Sequence, residues 1–147
     1  MRKKSNKPEI RFFNESGIDI PVTLEIIGDL VSTVFSREKK SCAELEAVYV
    51  NEEKIVEINT LHLGKDYITD IITYHYQEFD DEPVEGTIFC CAQRIFEQAR
   101  ELNLNASTEF NRVLIHGLLH LCGYDDKTES EKELMTSKEN EYLALLP

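Results

Sequence analysis

Apolar positions along the chain alternate between short β-prone runs and stripes at helical spacing. Residues 9–13, Glu-Ile-Arg-Phe-Phe, read as a first strand. Pro21 suits a helix start. Leu24, Ile27, Val31 and Phe35 follow at helical spacing, and Arg37-Glu-Lys-Lys closes the stripe with cations that favour the C-terminal pole of a helix. Glu46 to Val50 is a second β-prone run. Asn51 is placed to cap a helix with Glu52 and Glu53 in its first turn and Ile55, Ile58 and Leu61 on its inner face. Gly64-Lys-Asp breaks it. Ile68 to Tyr76 is β-branched, aromatic and apolar on both faces, which predicts a strand inside the sheet. Gln77 to Glu85 is an acidic loop containing Pro83. Gly86 to Cys90 is the next strand, running into a helix with Ala92, Ile95, Ala99 and Leu102 as its core stripe.

The longest apolar stretch comes later. With Ser107 or Thr108 as N-cap, a helix is predicted over 109–122. Phe110, Val113, Leu114, Gly117, Leu118 and Leu121 form its main apolar face, while Ile115 and Leu119 make the opposite side apolar too. A helix apolar nearly all round belongs inside a domain. Thr128-x-x-Glu131 is a capping box opening a terminal helix, with Leu134, Met135, Lys138, Tyr142 and Leu145 on one side. Residues 1–8 are basic and polar, a frayed terminus.

Composition narrows the class. A chain of 147 residues builds one domain with a real core and is too short for two comfortable ones. No apolar run reaches the length of a bilayer span, and no apolar h-region follows the basic start, so an intracellular, cytoplasmic protein is expected. Four cysteines fit that compartment as reduced, buried thiols: Cys90 and Cys91 are adjacent, and Cys42 and Cys122 sit inside amphipathic patterns. A net charge of −12 argues against non-specific nucleic-acid binding over the whole surface, and leaves room for a local basic groove.

Within the apolar helix, the two strongly polar side chains from Val113 to Cys122 are His116 and His120. Residues four apart lie about 40° apart, one turn above the other, so both imidazoles reach one point. Each buried imidazole has a donor and an acceptor to satisfy, and an unmet one costs on the order of 1–3 kcal/mol. A shared metal satisfies one nitrogen of each ring. A third ligand six residues past His120 is about 9 Å further along a continuous helix, so the chain must fold back, and Gly123 permits that. Spacing leaves Asp125 and Asp126 both open as the carboxylate, with Cys122 as a weaker rival. Two imidazoles and a carboxylate suit a catalytic zinc with one position left for water. Position 117 is Gly, so the helix-borne base of the His-Glu-x-x-His proteases is missing. His62 and His75 have no metal spacing and read as structural.

The stretch His116-Gly-Leu-Leu-His-Leu-Cys-Gly-Tyr-Asp resembles the YbeY family of bacterial metallo-endoribonucleases, also described as rRNA maturation factors. The resemblance covers residues from about 46 to 142. Lys65-Asp66, the segment Thr69-Asp-Ile-Ile-Thr-Tyr74 and the strand opening at Gly86 are similar to family segments. It implies a zincin-like α+β fold with a mixed four-stranded sheet and a buried central helix carrying the metal ligands, as a single metal-dependent hydrolase domain over residues 1–147. It implies one zinc ion held by His116, His120 and Asp126, where Asp126 stands in place of the family's third histidine. It further implies single-strand-specific RNA cleavage in 16S rRNA 3′-end maturation and ribosome quality control, with rRNA and ribosomal particles as partners and neither DNA nor a membrane.

Leu63 stands where the family carries an arginine, Thr87 where it carries an aspartate, and Thr73 where it carries a serine. The loss of an arginine removes a group able to stabilise charge on phosphate. Lys65, Arg94, Arg112 and Lys127 are the candidate RNA contacts. No catalytic base is identified; Asp66 and Asp70 lie in the resembling segment but read better as turn and strand-edge residues. Two alternatives stand beside the nuclease: a zinc hydrolase acting on another substrate, and a zinc-stabilised ribosome-assembly factor with little or no turnover.

Overall fold

The computed structural model describes residues 7–147. The expectation of a frayed start therefore falls mostly outside the described residues. Four strands, β1 (Glu9–Asn14), β2 (Cys42–Val50), β3 (Ile71–His75) and β4 (Val84–Cys91), form one sheet in the order β1-β2-β4-β3. The pairs β1–β2 and β2–β4 are parallel, while β3 runs antiparallel to β4, so the sheet is mixed. Five helices accompany it: α1 (Leu24–Arg37), α2 (Glu52–Leu63), α3 (Ala92–Glu101), α4 (Ala106–Leu121) and α5 (Glu129–Leu143). This is the α+β architecture expected.

The two-residue period of β2 divides the interior. Leu45, Ala47 and Tyr49 enter the main core with α1, α4 and α5, while Val48 and Val50 face a smaller cluster with Ile55 and Ile58 of α2. Helix α4 lies against the sheet because two glycines clear the way. A Cβ on Gly117 falls 2.6 Å from the Ile71 side chain and 3.3 Å from that of Ile88, and one on Gly86 falls 3.0 Å from both the Leu121 side chain and the Tyr74 carbonyl oxygen. Position 117 thus packs against the sheet, with no room for a side chain. Nine residues of α4 are buried, Glu109 among them, as the all-round apolar pattern requires.

Several expectations need correction. Strand β3 is an edge strand, shorter than residues 68–76 and paired to β4 alone. It reads as central because both its faces are covered: Ile71 and Thr73 meet α4, and Ile72 and Tyr74 join the α2 cluster. Leu61 is 72% exposed, because it sits about 120° from Ile55 around α2 and the inner positions go to Ile58 and Asn59. Leu102 is 54% exposed, since α3 stops at Glu101 and the chain turns away through Asn103 at a φ of 56°. The cap of α1 is Thr23 rather than Pro21, and Leu24 is exposed. The cap of α4 is Asn105, whose side-chain oxygen accepts from the Thr108 amide and from the Ser107 and Thr108 hydroxyls. On α5 the capping box forms as predicted, but the buried positions are Met135, Glu139 and Tyr142, with Leu134 and Leu145 exposed.

Candidate metal centre

Helix α4 carries His116 and His120 on one half-exposed strip between otherwise buried positions. Their ring centres are 4.7 Å apart and their Nε2 atoms 3.1 Å apart. The helix ends at Cys122, Gly123 takes a φ of 108°, and the Tyr124 amide donates back to the Leu119 carbonyl at 3.1 Å. The reversed chain brings Asp126 Oδ2 to 3.3 Å from His116 Nε2 and 3.4 Å from His120 Nε2. Tyr124 holds this loop by donating to Glu38 Oε1, 2.7 Å away, at the end of α1. His116, His120 and Asp126 are the group of potential ligands that converges among the described residues, and Asp125 is not part of it. Cys122 is buried outside this group, and burial together with the nearby Glu38 carboxylate pushes its thiol up to about 12.

The far side of His116 is fixed by a carboxylate that the sequence reading missed. Glu139 on α5 places Oε2 2.6 Å from His116 Nδ1 and accepts from Arg112 Nη1 at 3.1 Å through Oε1. Arg112 is engaged again by Glu109, with Nε 2.7 Å from Oε1 and Nη2 paired to Oε2. Gln98 on α3 donates to both Glu109, at 2.9 Å, and Asp70, at 3.2 Å. Burial opposes charge on His116, but the Glu139 hydrogen bond, then the fields of Glu139, Asp126 and Asp70, more than offset it and raise its pKa. The signal for Glu139 was present: it sits at i, i+4, i+7 between Met135 and Tyr142, a carboxylate on a buried stripe.

The residues suit a metal. With Nδ1 of His116 donating to Glu139, a neutral ring turns a bare Nε2 lone pair toward His120 and Asp126. Three potential ligand atoms lie within 3.4 Å of one another, and a cation among them would satisfy all three at once. Ligands about 2.0–2.1 Å from a tetrahedral ion are separated by about 3.3 Å, close to these spacings.

The other candidates fall outward. Arg112 is enclosed by the buried Glu109 and Glu139, and Arg94 pairs at the surface with Glu97 and Glu101. Lys65 and Lys127 are exposed, the former 6.0 Å from the Tyr67 ring centre. His62 packs edge-on against Tyr74, a structural role, and His75 is exposed. Asp66 is exposed and Asp70 is held by Gln98, with its carbonyl accepting from the Cys91 amide, which suits a strand-edge residue. Leu63 ends α2 with its side chain largely exposed.

A mixed sheet over a buried helix that bears two histidines, with a carboxylate folded back from the next loop, defines a zincin-like α+β protein. Within that class the chain belongs to the YbeY family: residues 12–147 match the family described as endoribonuclease YbeY. An endoribonuclease YbeY of Flavobacterium johnsoniae is 37% identical over 117 residues, covering 80% of this chain and 83% of that one. One of Cytophaga hutchinsonii is 40% identical over 115 residues, covering 78% and 80%. The solution structure of TM1509 from Thermotoga maritima matches with a TM-score of 0.63 at 27% identity, over 91% of this chain and 86% of that one.

Proposed function

We propose that the chain is a zinc-dependent, single-strand-specific endoribonuclease, one hydrolase domain over residues 1–147, with His116 Nε2, His120 Nε2 and Asp126 Oδ2 as the ligands of one ion. The observation that carries this reading is the meeting of three potential ligand atoms at one half-exposed point, in a chain of the YbeY family. A zinc ion held there supplies Lewis acidity toward a phosphate oxygen or a water. The chain's own contribution is positional. Helix α4 holds two rings at fixed separation, Glu139 sets the orientation of one, and the Gly123 turn presents Asp126. By family likeness the substrate is 16S rRNA near its 3′ end, in maturation and quality control of ribosomal particles in the cytoplasm. Among the described residues no helix is long and apolar enough to cross a membrane.

A second reading, a zinc-stabilised ribosome-assembly factor with little turnover, draws support from Leu63 in the family's arginine position and from the enclosure of Arg112. One assay separates them: cleavage of a single-stranded RNA by purified protein, with and without chelator, beside His116→Ala. The nuclease reading expects cleavage abolished by both treatments. Equal cleavage in all three samples marks a contaminant and overturns it, and no cleavage by zinc-loaded protein favours the assembly factor.

A further inference from the structure

With the His116 ring neutral, as a metal ligand must be, the buried network behind it carries one more negative than positive charge. Glu109 and Glu139 are both almost wholly enclosed, and the one guanidinium between them is that of Arg112. Arg112 is bonded through two nitrogens to Glu109 and through one to Glu139, so Glu109 is the better neutralised of the two. Burying a carboxylate without a counter-charge is costly, and a partial share of a guanidinium does not remove that cost. The remaining partner of Glu139 is the Nδ1 of His116, at 2.6 Å. The excess charge is therefore aimed through the imidazole at the point that Nε2 shares with His120 and Asp126.

We infer that Glu139 is a positioning residue of the metal centre, and that α5 is through it a working part of the site. Its carboxylate accepts the Nδ1 proton of His116, which fixes the tautomer and turns the Nε2 lone pair toward the ion. The same charge raises the donor strength of that ring. The lever reaches 23 residues along the chain and joins two helices, so the metal stabilises the docking of α5 on α4, and the docking tightens the metal in return. Asp126 adds a second carboxylate on the open side, so the centre is flanked by anionic groups front and back.

The inference rests on the ligand assignment proposed above. It is tested by competing Zn²⁺ away from the purified full-length chain with a chromogenic chelator, comparing wild type with Glu139→Gln, Glu139→Asp and the exposed control Glu141→Gln. Loss of the charge is expected to weaken zinc about 10–100-fold in Glu139→Gln. Glu139→Asp, which keeps the charge at a shorter reach, recovers part of the loss, and Glu141→Gln binds as wild type does. A Glu139→Gln protein that folds and binds zinc within twofold of wild type overturns the inference. Should that variant not fold, ¹⁵N spectra of the histidine rings in zinc-loaded wild type decide. A protonated Nδ1 and metal-bound Nε2 on His116 support it, and the reverse arrangement overturns it. Parallel titration of His116→Ala and Asp126→Ala separates the failures. If these lose zinc and Glu139→Gln does not, only the role of Glu139 falls; if none loses zinc, the ligand assignment falls with it.

Discussion

Asp126 is the residue on which the proposed centre departs from the three-histidine set that the family resemblance implies. Local sequence does not distinguish it from Asp125, since both precede the Thr128 cap and both types suit a turn. The fold does: the chain reverses at Gly123, and its path through Tyr124, pinned on Glu38, leaves Asp126 Oδ2 3.3 Å from His116 Nε2. A carboxylate is a competent but harder ligand than imidazole. Metal analysis after dialysis should therefore show Asp126→Ala nearly depleted of zinc and Asp125→Ala retaining close to one ion per chain. Depletion of the Asp125 variant alone contradicts the assignment. The histidine pair was legible because one helical turn is a short-range rule, whereas Glu139 lies on another helix and becomes a neighbour of His116 only through tertiary packing.

At the level of elements, capping chemistry and periodicity located the helices, and the misplacements have a common cause. Period alone cannot say where a helix stops or how many helices cover a strand. Leu102 continues the α3 stripe on paper but falls just past the last helical turn. Strand β3 looks central because α2 and α4 bury its two faces, although its outer edge has no strand beside it among the described residues. A second cluster, also invisible to local pattern, ties α1 to α5. Glu38 at the end of α1 accepts from the Tyr124 and Tyr142 hydroxyls and pairs with Lys138 at 3.5 Å. Burial works against the charged form of Glu38, but the two phenols and Lys138 prevail and hold its pKa below the usual carboxylate value. The native state thus binds fewer protons there than the unfolded chain. The stability from Glu38 is present above the unfolded carboxylate value and is lost as pH falls through the lower folded one. Glu38→Gln should cost about 1–3 kcal/mol near pH 7 in urea unfolding, and the gap to wild type should close as pH drops below about 4. A gap that stays constant across that range means the ionised carboxylate is not what joins the helices.

For the whole molecule, the decisive property is charge and where it is already committed. The chain carries −12 and a pI near 4.7, which discourages a polyanion from approaching at random. Of the four cations that sequence reading assigned to RNA, the fold spends Arg112 inside the network behind His116 and ties Arg94 to two glutamates of its own helix. Lys65 and Lys127 remain exposed. Charge composition was legible from the sequence, but its distribution was not, because pairing depends on which helices meet. A protein that releases counterions from single-stranded RNA shows a slope of log affinity against log salt of about −0.7 per phosphate neutralised. If Lys65 and Lys127 alone engage phosphates, the slope is on the order of −1.4. Fluorescence anisotropy of a labelled single-stranded RNA, titrated with the non-cleaving His116→Ala protein at rising potassium chloride, should therefore show weak binding with a shallow salt dependence. The remaining contact in that variant falls to exposed rings such as Tyr67, whose stacking is tolerant of salt. A slope of about −3 or steeper requires a basic groove, and so means that RNA draws Arg94 or Arg112 out of its glutamate partners or that other cations gather on the bound strand.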